Sequence, residues 1–288
     1  MFYLIHIAIF CAIYGILAIS LNLVLGYTGL LSVTQAAFYG LGAYATAILS
    51  TRFNLGFGES LLIGIAIVSV VSFLVGLVLS KLAGDYYAVA TLGFNVIIVA
   101  VMLNWSALTN GPLGIAIFSK TTLFGLDFSS QPAFLALALF LLFLAYGIGY
   151  YLKKSSFGRV LKAIREDEKA IQVFGYNTTK YKLVIFVIGA ALAAAAGSLF
   201  AAYISYVDPS SFATNESIFI LSVIILGGLA NLEGSILGAI FLVLLPELLR
   251  FVGFPEAVAA ELRQAVYGLL LVILMLYRPQ GLLGEYKL

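Results

Sequence analysis

Charge is scarce in this sequence. Asp, Glu, Lys and Arg make up 10% of its 288 residues, and hydrophobic residues 63%. Soluble domains run at about 25% and about 45–50%. So few charges cannot cover a soluble surface, and a bilayer removes the need for them. Cys11 is the only cysteine and His6 the only histidine, which excludes a disulfide framework and a Cys/His metal site within the chain. Both lie in the first apolar run and read as packing residues, His6 also suiting an interface. A net charge of +2 lacks the basic field of a nucleic-acid binder.

Catalytic and nucleotide signatures are missing as well. No Gly-Lys dipeptide occurs, so a phosphate-binding loop of the form G-x-x-x-x-G-K-[ST] is impossible. No Gly-x-Ser-x-Gly elbow occurs, and His6 alone supports no histidine-based triad. The chain is expected to be no enzyme and to bind no cofactor, so transport energy must come from a partner or an ion gradient. Ion-coupled carriers place ionisable residues deep in their spans, where a charge costs about 2.5–3.5 kcal/mol. Here the strongest such residue is Glu247, one turn from a span end beside Arg250. Asp85 follows Lys81 at a boundary. A secondary carrier is thereby disfavoured.

What is present is a succession of apolar runs. They predict an all-α, polytopic bundle of about eight to ten helices, some short or interrupted by glycine. The runs are Phe2–Leu25, Ala36–Thr51, Ser60–Ser80, Ala88–Trp105, Pro132–Leu152, Tyr181–Ile204, Ser217–Ala230, Ser235–Arg250 and Gln264–Tyr277. Ser217–Ala230 falls short of the ~20 residues a straight span needs, so it reads as tilted, re-entrant or half of a broken helix. The first run lacks a basic leading segment and is long enough to span, which argues against a cleaved signal peptide. Residues 1–288 read as one transmembrane domain.

Lys153, Lys154, Arg159, Lys162, Arg165, Lys169, Lys180 and Lys182 put eight of the fifteen basic residues into one loop, which should be cytoplasmic. Counting spans outward places the N-terminus outside and the C-terminus inside. Lys81, Arg278 and Lys287 then join the inner set, with Arg52, Lys120, Arg250 and Arg263 outside. The polar stretch Leu108–Gln131 reads as an exposed outer loop.

Small residues mark close helix contacts. Gly189, Ala193, Gly197 and Ala201 recur every four residues, and Gly40, Tyr44 and Ala47 form a similar face. Two glycine-rich breaks, Gly26-Tyr27-Thr28-Gly29 and Gly227-Gly228, stand in opposite halves of the chain, a pattern that points to repeats and to a substrate path. Asn22, Gln35 and Asn95 are amides in or beside apolar spans. They could hydrogen-bond a passing zwitterion without bringing charge into the membrane, or simply join helices.

Within the basic loop, Gly158–Gly175 has helical period. Val160, Ala163, Ile164, Ala170 and Val173 are expected on one face and charges of both signs on the other, with Gly175 as the stop. Such a helix could lie in a groove of another protein. Exchanging Arg165 and Glu168 would preserve net charge, so a merely solvated loop should tolerate it.

These residues resemble a known family, the LivM-type permeases of branched-chain amino-acid ABC transporters. Ser20-Leu21-Asn22-Leu23 with Gly26–Gly29, Ala36-Ala37-Phe38 and Gly40–Tyr44 carry the likeness at the start. Gly84–Ala88 with Thr91–Phe94 carry it next, then Arg165–Glu168 with Gly175-Tyr176-Asn177, Leu226–Leu229 with Gly234 and Gly238-Ala239, and Arg278–Gly284. The sequence departs from the family's pattern at Leu30, Thr34, Gln35, Val96 and within Thr109–Ile115, so urea, short amides and other small solutes stay open as substrates.

The resemblance implies an importer of the bacterial or archaeal cytoplasmic membrane. Its partners would be a second related permease, two cytosolic ATPases carrying ATP and magnesium, an extracytoplasmic solute-binding protein and membrane lipid. It assigns Gly158, Arg159, Lys162, Arg165, Glu166, Asp167, Glu168, Ala170 and Gly175, within the loop at about 153–181, to ATPase coupling.

Overall fold

The computed structural model describes residues 2–82, 84–117, 122–123, 126–251, 268–269, 272 and 281–283. Helix α1 (Phe2–Leu21) continues through a π-helical turn at Asn22–Gly26 and is followed by α2 (Gln35–Arg52), α3 (Phe57–Leu79) and α4 (Asp85–Asn104). The short α5 (Ser106–Thr109) precedes the two-residue strands β1 (Ile115–Ala116), β2 (Thr122–Leu123) and β3 (Leu126–Asp127). Next come α6 (Gln131–Lys154), α7 (Ser156–Glu166), α8 (Glu168–Val173) and α9 (Thr178–Ile204). Strand β4 (Tyr206–Val207), a 3-10 turn at Pro209–Phe212, α10 (Thr214–Gly227) and α11 (Leu232–Phe251) complete the described chain.

Helices therefore stand at eight of the predicted runs, most starting about one turn earlier than expected. The turn before each apolar run still hydrogen-bonds as helix, and polarity alone does not end one. The ninth, Gln264–Tyr277, lies outside the described residues save 268–269 and 272, as do Lys120, Arg263, Arg278 and Lys287. The side chains of Glu247 and Arg250 are also outside them.

Local chemistry fits these boundaries. Pro132 lies in the first turn of α6 and Lys153 and Lys154 in its last, where proline loses no helical bond and cations face the negative end of the dipole.

The helices pack with α2 and α9 at the centre. Along their crossing, a Cβ on Gly42 would lie 2.4 Å from the Ala194 carbonyl oxygen, and one on Gly197 2.0 Å from that of Tyr39. The absent side chains let two backbones touch, which is the main attraction between helices in lipid. Gly189, Ala193, Gly197 and Ala201 are all buried, as the four-residue spacing required. Helix α1 covers this pair and in turn carries α6, α10 and α11. Helices α3, α4 and α6 are outermost, showing Leu62, Val70, Val89, Ile97 and Phe143 on their surface.

The two ends of the bundle differ. One gathers the basic loop, the Gly26–Gly29 break and the turn after α10, joined when Arg165 Nη1 donates to the Gly26 carbonyl and the Ala230 N–H donates to Asn22 Oδ1. At the other, Arg52 donates to the carbonyls of Ala107 and Leu108. The stretch Leu108–Gln131 is more than an exposed loop. Its β1 pairs antiparallel with β4, Ile115 opposite Val207, and Thr109, Ile115 and Ile117 are buried.

Candidate functional site

The basic loop folds as two helices rather than the single one its periodicity suggests. Asp167 is extended (φ −153°, ψ 98°) and its side chain accepts from the Ala170 N–H, capping α8. That local bond competes with helix continuation, which is why aspartate favours such breaks. Ser155 likewise caps α7 by accepting from Gly158 N. The break changes the buried face. Gly158, Leu161 and Ile164 are buried, whereas Val160, Ala163 and Ala170 are half-buried and Val173 is exposed. A Cβ on Gly158 would stand 2.2 Å from the Leu152 carbonyl oxygen, so only glycine permits this seat.

The charges of α7 and α8 divide into two groups. Arg165 reaches the Gly26 carbonyl, and Lys162 Nζ sits 5.8 Å over the Tyr27 ring. Glu168 is ion-paired with Lys182 and accepts from Thr178 Oγ1 at 2.9 Å. These three side chains turn back onto the bundle. Arg159, Glu166, Asp167 and Lys169 are exposed. Val173 and Phe174 are 87% and 78% exposed, beside Gly175 at φ +85°. An unpartnered apolar tip on a charged element has the composition of a protein contact.

The Gly26–Gly29 break and the turn after α10 form one hydrogen-bonded hub. Asn22 Oδ1 accepts from Ala230 N at 2.8 Å, while Nδ2 donates to Asn231 O at 2.9 Å and Ser235 Oγ at 2.5 Å. A Cβ on Gly26 would fall 1.9 Å from that Oδ1, so the glycine leaves the amide its room. Both ends of Asn22 are satisfied, which makes it a clamp between elements about 200 residues apart.

A second polar layer runs through the middle of the bundle. Gln35 Nε2 donates to Ser20 Oγ. Ser217 Oγ accepts from Ala36 N at 3.0 Å and donates to Val33 O at 2.9 Å, and Val33 N reaches Thr91 Oγ1 at 3.2 Å. Asn95 is fully buried. Its Nδ2 donates to Thr214 Oγ1 at 3.3 Å, but among the described residues its Oδ1 has no partner, and neither do the buried hydroxyls of Tyr39 and Tyr44. The three sequence-selected amides thus do not converge: Asn22 lies in the hub, and Gln35 and Asn95 bond to different neighbours in this layer.

One residue was missed. Glu216, on the first turn of α10, accepts from the Tyr14 hydroxyl at 2.6 Å. Tyr14 is twelve residues from either end of the Phe2–Gly26 span, so this carboxyl lies near mid-depth. Reading the span as starting at Ser217 left Glu216 at a boundary. The available signal was the shortness of the run, which required its start to lie inside the bundle. The chain gets there by re-entry after β4, where Asp208 accepts from Ser210 and Ser211 and Phe212 packs on Gly40. Burial of Asp208 disfavours its charge, but those serine hydrogen bonds more than offset this and hold its carboxyl below the ordinary value.

A helical bundle in which five helices, among the described residues, are long and apolar enough to cross a bilayer is a multi-pass membrane protein. Residues 3–275 match the family described as branched-chain amino acid transport system / permease component, and the chain belongs to that family. It is 38% identical to the high-affinity branched-chain amino acid transport system permease protein LivM of Escherichia coli K12, over 97% of this chain and 69% of that one. The LivM of Salmonella typhimurium LT2 is 37% identical over the same shares. The probable LivM of Methanocaldococcus jannaschii is 26% identical over 97% and 92%. No solved structure matches the chain.

Proposed function

We propose that this permease imports branched-chain amino acids across the cytoplasmic membrane of a bacterium or archaeon. It would pair with a second, related permease, and two cytosolic ATPases holding ATP and magnesium would drive the pair. An extracytoplasmic binding protein would deliver the solute. The family supports the importer reading, and the named substrates of the LivM relatives support the solute.

The observation that carries the coupling reading is the geometry of α7–α8. Val173 and Phe174 face outward for a partner, while Arg165 and Lys162 reach the Gly26–Tyr27 break. A push on α7 would therefore bear on that break, and through Asn22 on the turn joining α10 to α11. Closure of the ATPases on ATP would supply the push. Of the three amides, Asn95 keeps an open acceptor and is assigned to the path; Asn22 and Gln35 are assigned to holding it in shape.

The test is uptake in a strain lacking its own systems, with all subunits supplied. Labelled leucine, isoleucine and valine should accumulate and labelled urea should not. Replacing Val173 and Phe174 together by Asp should leave the permease inserted but abolish ATPase co-purification. Uptake of urea alone, or normal ATPase recovery with the double variant, would refute the respective half of the reading.

A further inference from the structure

The importer reading leaves the mid-depth carboxyl without a role. A structural hydrogen bond to Tyr14 could be made by an amide or a hydroxyl, yet an acidic residue stands there. Among the described residues no Lys or Arg is ion-paired with it. An ionisable group at this depth marks a functional position by default.

The approach to it is aromatic. His6 and Tyr203 meet at the end away from the basic loop, where their ring centroids are 5.5 Å apart and His6 Nδ1 is 2.7 Å from the Tyr203 hydroxyl. Phe10 follows, 6.0 Å from Tyr203 and 6.4 Å from Phe200. Tyr14 and Phe219, 5.1 Å apart edge to face, end the series beside Glu216. From His6 to Tyr14 the descent is about 12 Å, at 1.5 Å per residue. All six rings, and Glu216, are half-buried rather than sealed in the core. Ring faces suit both an apolar side chain and a passing cation.

We infer that Glu216 is the counter-charge for the ammonium group of the transported solute, reached along this aromatic wall on α1, α9 and α10. The ligand class is a zwitterion with an apolar side chain. Its ammonium would pair with Glu216, and Tyr14, which donates to Oε1, would fix the carboxylate. The rings would take the side chain. This rests on the amino-acid reading above and adds the group that discriminates an amine from the corresponding acid.

The experiment uses the complete transporter, with L-leucine at limiting concentration as the probe and 4-methylpentanoate, leucine without its amine, as the comparison. Glu216→Gln should assemble with its partners and lose leucine uptake by at least about tenfold, as removal of a desolvated charge partner implies. Tyr14→Phe, which keeps the carboxylate, should lose only about threefold. Unmodified transporter should not be inhibited by 4-methylpentanoate. Leucine uptake by Glu216→Gln at the unmodified rate overturns the inference. So does a loss in Tyr14→Phe equal to that in Glu216→Gln, because the pair would then be structural.

Should Glu216→Gln fail to assemble, Glu216→Asp decides. It keeps the charge but withdraws it by one methylene, so it should raise the leucine concentration giving half-maximal uptake. An unchanged value overturns the inference. If unmodified transporter moves no leucine, isoleucine or valine, the amino-acid reading itself fails, and the variants are not the cause.

Discussion

The hub at the basic end and the layer at mid-depth each hold a buried asparagine, in opposite states. In the hub Asn22 satisfies both ends of its amide across two chain breaks. At mid-depth Asn95 leaves its carbonyl open, and Tyr39 and Tyr44 keep buried hydroxyls without a partner among the described residues. Buried polar groups in proteins are nearly always paired, because an unpaired one costs about 1–3 kcal/mol. An amide paired at both ends across two chain breaks is a mechanical joint. A region that tolerates several open groups at bilayer depth is suited to receive hydrogen bonds from something that passes.

That contrast predicts different failures for one substitution. Asn22→Leu removes the clamp and strands the Ala230 N–H, a loss of about 1–3 kcal/mol if it stays buried, while the Asn231 carbonyl keeps its bonds from Ser235. Little folded permease should be recovered from membranes. Asn95→Leu removes one bond to Thr214 and should insert normally while uptake falls several-fold. Equal recovery and equal uptake for the two variants would erase the distinction between joint and path.

The next effect in size concerns the charges of α7 and α8. A solvated loop would tolerate exchange of Arg165 and Glu168, but both side chains contact the bundle. The exchange would set a carboxylate against the Gly26 carbonyl and a guanidinium beside Lys182. Glu168→Lys alone should lower thermal stability of the detergent-solubilised protein by about 1–3 kcal/mol, less than for a fully buried pair because Glu168 is one-third exposed. Adding Lys182→Glu should restore most of it. Failure of that restoration would mean the pair does not hold α8 to α9.

The smallest effect belongs to Asp208, at the re-entrant turn. Its carboxyl is held below the ordinary 3.8, so the folded state binds a proton less readily than the unfolded chain. Its stabilising contribution is complete above that ordinary value and is lost as pH falls through the lower folded one. Asp208→Asn should lower Tm at neutral pH by roughly 3 °C or less and should show a smaller further loss on acidification. A parallel acid response in both proteins would remove the serine cage as the cause.

The sequence by itself determined the class of protein, the place of eight helices and the close-packed small-residue face of α9. These follow from one-dimensional quantities: the length of an apolar run against the thickness of a bilayer, and the four-residue recurrence of Gly189 to Ala201 against the pitch of a helix. It also located the basic loop and the glycine stop at Gly175. Only the tertiary structure decided that Asp167 splits the loop, that Arg165 and Glu168 face inward, that Asn22 is a clamp, and that Glu216 lies at mid-depth. Each of these depends on which distant groups meet. Asn22 and Ala230 are joined across 208 positions, and Tyr14 and Glu216 across 202. Depth and hydrogen-bond satisfaction belong to the assembled bundle, because a side chain's partner in a dry interior is chosen by packing and leaves no periodic trace in the chain.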